Sequence, residues 1–236
     1  MRPGLDKNLL NYAVDLAKPR RPYCLFLARL EDGELKGVGL ACQMISSLNT
    51  DWVWPIATRP RLVVRGFDPN PDKFEKEIAA IGGFKEAIQY LIPRPYTSDA
   101  ETIATDIRSA SAIIMPSKRE GFGLTALEGI SAGIPTLVSS ESGLAWLLLE
   151  SDVQAAIGKA ATDACVADVD GDTEDVRKSW ATRAQAILSD PNTAFSQASQ
   201  LRAALTPLLS WEKAAEQFSR DIENILRSDS GLRHPR

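Results

Sequence analysis

Short apolar runs of strand length alternate along this chain with longer stretches whose apolar residues recur at helical spacing. Residues 5–18 place Leu9, Leu10, Ala13, Val14, Leu16 and Ala17 at such intervals and predict a short amphipathic helix stopped by Pro19. Residues 23–28 are apolar without alternation, as a strand covered on both faces requires. Helical spacing returns over 36–48 (Val38, Leu40, Ala41, Met44, Ile45, Leu48), and 62–64 predict a strand ended by Gly66. Pro71 then opens a helix at its first turn, where a missing N–H costs little.

The alternation continues with strands over 88–92, 112–115 and 134–138 and helices over 100–110, 124–132 and 143–149. Residues 166–169 predict a last, short strand. Beyond 171 the pattern is helical throughout, over 173–188, 194–209 and 211–227, with breaks at Pro191 and Pro207. Buried strands alternating with helices give an α/β fold class: a Rossmann-like doubly wound parallel sheet with a helical C-terminal extension. No linker or internal repeat divides the chain, so residues 1–228 read as one domain, with an N-terminal helix (1–20) and a helical extension (172–228). The polar residues 229–236 are expected to be disordered.

Composition narrows the function. The 236 residues are 44% apolar and 25% charged, enough for a full core without disulfide or metal staples. The net charge of −4 argues against a nucleic-acid partner, which a basic excess would serve. No apolar run approaches the ~20 residues of a membrane span, and the expected location is cytoplasmic. The single histidine, His234, lies in the polar tail, which excludes serine-triad, cysteine–histidine and histidine–zinc chemistry. Cys24, Cys42 and Cys165 have no metal-ligand or redox spacing and read as small buried hydrophobes, so neither a disulfide nor a metal centre is expected.

In a doubly wound sheet, ligands sit beyond the carboxyl ends of the strands. The stretch 115–129 lies there, following a strand and opening a helix. Gly121 and Gly123 permit close backbone approach, and the N–H groups of the helix start can hold an anion or a hydroxyl. Glu120 precedes this helix and Glu128 lies inside it, so both border one crevice. At ~1.5 Å per residue they stand roughly 8–12 Å apart, too far to share a proton, and serve two ligand contacts. Taken singly, Glu120 could cap the helix through its dipole and Glu128 could be a solvated surface charge. Arg29 ends the first strand and Lys36 opens the next helix, so both cations reach the crevice as a diphosphate requires. A salt bridge within their acidic loop (Glu31, Asp32, Glu34) is the competing arrangement.

These segments resemble the C-terminal, nucleotide-sugar-binding half of the family 4 retaining glycosyltransferases, which have the two-domain GT-B fold. The resemblance runs over about residues 22–225. Ala28-Arg29-Leu30…Lys36-Gly37 is similar to the family's strand–loop–helix phosphate motif, and Leu62-Val63-Val64-Arg65-Gly66 to its second strand. Pro116-Ser117…Glu120-Gly121-Phe122-Gly123-Leu124…Glu128 matches its paired-glutamate motif, and residues 131–139 the strand that follows. Ser210-Trp211-Glu212-Lys213 resembles its C-terminal tryptophan helix. The resemblance implies that Arg29 and Lys36 bind and stabilise the leaving diphosphate. Glu120, with the backbone of Gly121, Phe122, Gly123 and Leu124, would hold the sugar hydroxyls. Glu128 would take the ribose, Gly143 would face the donor, and residues 93–97 would flank the base. Catalysis would then rest on positioning and charge stabilisation, with a UDP-, GDP- or ADP-sugar as donor and no metal or cofactor.

Three departures stand out. The usual glycine pair after residues 134–139 is replaced by Ser140-Glu141-Ser142-Gly143, and the Arg29–Lys36 spacing is one residue longer. Two doubly wound domains need ~300–400 residues, so an N-terminal acceptor domain must come from a separate or fused partner. The alternative is a non-catalytic nucleotide-sugar-binding or signalling module. A dehydrogenase is disfavoured because no Gly-x-Gly-x-x-Gly follows the first strand.

Overall fold

The computed structural model of the chain describes residues 2–12, 14, 22–80, 85–170 and 174–230. Its strands are β1 (Tyr23–Leu27), β2 (Arg61–Arg65), β3 (Leu91–Arg94), β4 (Ala112–Met115), β5 (Thr136–Ser139) and β6 (Val166–Ala167). All pair in parallel, in the order β3-β2-β1-β4-β5-β6, so the sheet is doubly wound. The order reverses between β1 and β4, and a crevice opens at their carboxyl ends.

The helices are α1 (Lys7–Leu10), α2 (Val38–Thr50), α3 (Pro71–Ala80), α4 (Ala100–Ser109), α5 (Leu124–Ser131), α6 (Gly143–Leu149), α7 (Ser151–Ile157), α8 (Lys159–Cys165), α9 (Glu174–Ser189), α10 (Pro191–Leu205) and α11 (Trp211–Ser230). Alternate residues of the central strands feed opposite layers. Cys24, Phe26, Leu62, Val64 and Ile114 pack with Met44, Ile45 and Leu48 of α2 and Trp180 of α9. Leu25, Val63 and Ile113 pack on the other face with Ile107, Ile134 and Phe195. A further cluster joins β5 to α5, α6 and α10 through Val138, Leu127, Ile130, Leu148, Leu201 and Leu205. The unalternating apolar strands are explained by this covering of both faces.

Several boundaries differ from the periodicity. The first helix stops at Leu10, where Asn11 caps it, instead of running on to residue 18; residues 13 and 15–21 lie outside the described part. The run 88–92 does not begin a strand: Lys85–Tyr90 winds as a 3-10 helix and β3 starts at Leu91. A short apolar run cannot by itself distinguish the two. Pro191 marks a break between helices as expected, but α10 begins at it and not at residue 194, because Asp190 caps the start by accepting the Thr193 N–H at 3.2 Å. Helices α7 and α8 were not expected, and their alanines show little periodicity. Helix α11 continues through Asp229 and Ser230; residues 231–236, with His234, lie outside the described part.

Cys24 and Cys42 are buried and in no disulfide, and burial pushes the Cys24 thiol up to about 12. Among the described residues no helix is long and apolar enough to cross a membrane.

Candidate functional site

Two loops meet at the reversal of strand order. The first leaves β1 at Leu27 and folds upon itself: Lys36 N–H donates to the Asp32 carbonyl (2.8 Å) and Val38 N–H to that of Gly33 (3.0 Å). The second leaves β4 at Met115 and reaches α5. Lys118 N–H joins them by donating to the Leu35 carbonyl at 2.8 Å. Gly37, in the left-handed region at φ 78°, caps α2 and lies directly against the Pro116 carbonyl. Gly123, also left-handed at φ 97°, begins α5 without any side-chain cap.

The loops enclose a cavity of about 540 Å³ lined by Leu27, Lys36, Met115, Glu120, Phe122, Gly123, Leu124, Thr125, Pro3 and Trp211. Lys36 Nζ donates to Glu120 Oε2, with the side chains 29% and 14% exposed, and Ser117 Oγ approaches the same oxygen at 3.4 Å. Two residues expected at different ends of a ligand therefore neutralise one another here. The first turn of α5, Leu124 and Thr125, completes the wall.

Glu120 is fixed from behind. Its N–H donates to the Glu141 carbonyl (3.2 Å), and residues 120 and 142 form a parallel bridge. Gly143 N–H donates to the Gly121 carbonyl (3.1 Å) and Leu144 N–H to that of Phe122 (2.7 Å). The altered Ser140–Gly143 stretch thus clamps the 120–122 loop, and the Gly143 N–H is already engaged. Ser142 supports the turn by capping α6 and donating to the Ser139 carbonyl at 2.8 Å.

Arg29 is not on this wall. It lies in an adjoining space of about 700 Å³ with Glu31, Asp32, Gly66 and Tyr96, its guanidinium carbon 6.0 Å from the Tyr96 ring centroid. The 93–97 loop that carries Tyr96 is anchored from below. Asp106 of α4, side chain 3% exposed, accepts from both Arg65 and Arg94, and Arg65 Nη1 also donates to the Pro95 carbonyl at 2.8 Å.

Glu128 lies outside the Lys36–Glu120 wall, one turn further along α5. Burial raises its pKa above the ordinary carboxylate value, and the nearby Asp6 charge adds to the rise. Asp6 belongs to an N-terminal segment tied down by Leu5 N–H to the Leu209 carbonyl (3.3 Å), Asp6 N–H to Ser131 Oγ (3.1 Å), and Arg2 to Asp152 (3.2 Å). A carboxyl whose folded pKa is raised holds its proton longer in the folded than in the unfolded state. Its contribution is complete below the unfolded value and is lost as pH rises through the folded one. Glu128→Gln should therefore raise the melting temperature at pH 8 and leave it nearly unchanged at pH 4. A melting series from pH 4 to 8 checks this, and a gain that is the same at both ends would refute it.

Among the described residues no group of three His, Cys, Asp or Glu side chains could hold a metal ion. Sequence reasoning missed the parts of the site that come from the chain's ends. Pro3 and Trp211 reach the cavity only through tertiary packing, and the one hint was the tryptophan at a helix start.

The profile of a family described as "Family 4 Glycosyltransferase in conflict systems" matches residues 1–218. A D-inositol 3-phosphate glycosyltransferase from Corynebacterium urealyticum is 28% identical over 163 residues, covering 68% of this chain and 34% of that protein. One from Streptomyces avermitilis is 38% identical over 74 residues, 31% of this chain and 15% of its own length. The chain thus spans about a third or less of these relatives. Among solved structures, sucrose-phosphate synthase from Thermosynechococcus elongatus superposes with a TM-score of 0.69 at 20% identity, over 96% of this chain and 52% of that one. The C-terminal domain of a group 1 glycosyl transferase from Francisella tularensis gives 0.58 at 16% identity, over 86% and 97%. At these identities the structures speak for the fold, and that fold is one half of GT-B.

Proposed function

The chain belongs to the family 4 glycosyltransferases of conflict systems, and from that premise we propose that it is the donor-binding part of a retaining glycosyltransferase, taking a UDP-, GDP- or ADP-sugar. The observation that carries this reading is the Lys36–Glu120 pair at the N-terminal end of α5, at the reversal of strand order. An arriving diphosphate takes Lys36 from Glu120. The freed carboxylate then accepts hydrogen bonds from the sugar hydroxyls, beside the backbone of Gly121–Leu124. Arg29 adds a second cation to the diphosphate, and the 93–97 loop with Tyr96 flanks the base. Glu128 serves the ribose. As the bond from the anomeric carbon to the diphosphate breaks, Lys36 and Arg29 offset the charge left on the leaving oxygen, with no metal required.

The acceptor site belongs to a partner half, separate or fused. The exposed face of α11 supports this reading: Phe218 and Ile222 follow Trp211 at helical spacing, leading outward from the cavity. Cys24 and Cys42, buried and in no disulfide, suit a reducing, cytoplasmic setting. A second reading, a binding module without transfer, is favoured by the clamp that occupies the Gly143 N–H.

A nucleoside diphosphate panel (UDP, GDP, ADP) tests the donor site. One member should raise the melting temperature by mass action, and Lys36→Ala should weaken its binding by roughly 30- to 100-fold, the worth of a charge-assisted contact. No shift with any of the three at millimolar concentration would remove the donor-site reading. Nucleotide release from the matching nucleotide-sugar, with and without candidate acceptor domains, separates transferase from module.

A further inference from the structure

The wall of the cavity facing the outside is built from the two ends of the chain, and one of its residues has no assigned part in the chemistry. Trp211, the first residue of α11, lines the same space as Lys36 and Glu120 and is 49% exposed. It is held in place. A Cβ at Gly4 would meet the Trp211 backbone nitrogen at 2.3 Å and its ring atoms Cδ1 and Cγ at 2.7 Å, so the pyrrole edge rests directly on the N-terminal segment. Lys7 pairs with Glu212 beside it, and Lys213 N–H donates to Ser210 Oγ at 3.1 Å, fixing the helix start. A large aromatic anchored along one edge and open elsewhere, on the rim of a cavity, needs a reason: burying it against the core would stabilise the chain more.

We propose that the Trp211 indole is the apolar platform for the transferred sugar, a specificity-determining residue of the donor site. This inference rests on the donor-site reading above. The chemistry at the two sides of the cavity is complementary to a pyranose ring. Glu120 and the α5 N-terminus can satisfy hydroxyl groups, which lie at the ring's rim. A sugar's C–H face has no hydrogen bonds to offer and gains most against a flat apolar surface. Trp211 is the aromatic ring that this cavity presents from the outer wall, and the other aromatic, Phe122, belongs to the Glu120 loop itself. The ring face also carries negative potential, which favours the positive charge that builds at the anomeric carbon as the leaving group departs. Fixing the indole on Gly4 before the donor arrives means that little ordering remains to be done on binding.

The separating measurement compares each nucleoside diphosphate with its sugar conjugate by calorimetry: UDP with UDP-glucose, GDP with GDP-mannose, ADP with ADP-glucose. For the base that binds, Trp211→Ala should weaken the sugar conjugate by roughly three- to tenfold and leave the bare diphosphate within twofold, while Trp211→Phe retains most of the conjugate's affinity. Melting curves of both variants establish that each is folded, and Trp211→Phe keeps the test open if Trp211→Ala is not. Equal losses for diphosphate and conjugate, or no loss for either, would overturn the platform role and leave the donor site standing. If no diphosphate binds the unaltered chain, the donor-site reading fails and the platform with it.

Discussion

Gly37→Ala should destabilise the chain by about 3 kcal/mol or more. Two penalties combine. The residue stands at φ 78°, where a side chain is strained by roughly 1–2 kcal/mol. The added Cβ would also fall 1.9 Å from the Pro116 carbonyl oxygen, a backbone atom that moves only if the loop moves. The junction between the β1 and β4 loops would open, and with it the Lys36–Glu120 pair. A fall in the melting temperature of roughly 6–12 °C is expected for a chain of this size, together with loss of nucleoside diphosphate binding. Gly121→Ala is the matched control: nothing lies within 4 Å of its would-be Cβ, and the change should stay within about 0.5 kcal/mol. If Gly37→Ala melts with the unaltered protein, the junction is not as tight as described.

Asp106→Ala is the second large effect, at about 3–5 kcal/mol, because it leaves two guanidinium groups beneath the 93–97 loop without their common counter-charge. Arg65 is the more deeply buried of the two. Released from Asp106, it also loses the fixed geometry with which it holds the Pro95 carbonyl, so Tyr96 should shift from Arg29. Denaturant unfolding measures the first consequence, and a change in preference among UDP, GDP and ADP the second. Replacing the whole cluster with apolar residues of similar volume separates them: stability should return while base preference does not. A midpoint unchanged in Asp106→Ala would contradict the buried pairing.

What the sequence makes legible follows from how local each signal is. The six strands and the helices between them, α7 and α8 excepted, are visible because strands covered on both faces lose their polar alternation, as residues 23–27 and 112–115 do. Glu120, Lys36 and Gly123 are visible because they occupy strand ends and helix starts, where doubly wound sheets hold ligands. The arrangement among them is less so. Nothing in the spacing of Lys36 and Glu120 says that they pair, since their encounter depends on how two loops 84 residues apart are stitched. Glu128 was expected on the same crevice; it stands one turn beyond the Lys36–Glu120 wall, and the spacing gives no sign of the N-terminal Asp6 that lies beside it. The 85–90 segment went astray for a different reason, since short apolar runs have two readings, and α10 starts ahead of its apolar spacing because Asp190 caps it at Pro191.

The convergence of Pro3 and Trp211 at one cavity mouth also bears on how this chain can be joined to others. Residues from the first few positions and from the start of the last helix meet within one wall, so a domain fused ahead of residue 2 is delivered to the mouth of that cavity. A short flexible tether at that end holds its cargo at an effective concentration on the order of millimolar. For a tagged or fused version of the chain, the amino terminus is then the sensitive end. A bulky addition there competes for the space at the mouth of that cavity, whereas an addition beyond residue 230 begins at the far end of a 20-residue helix.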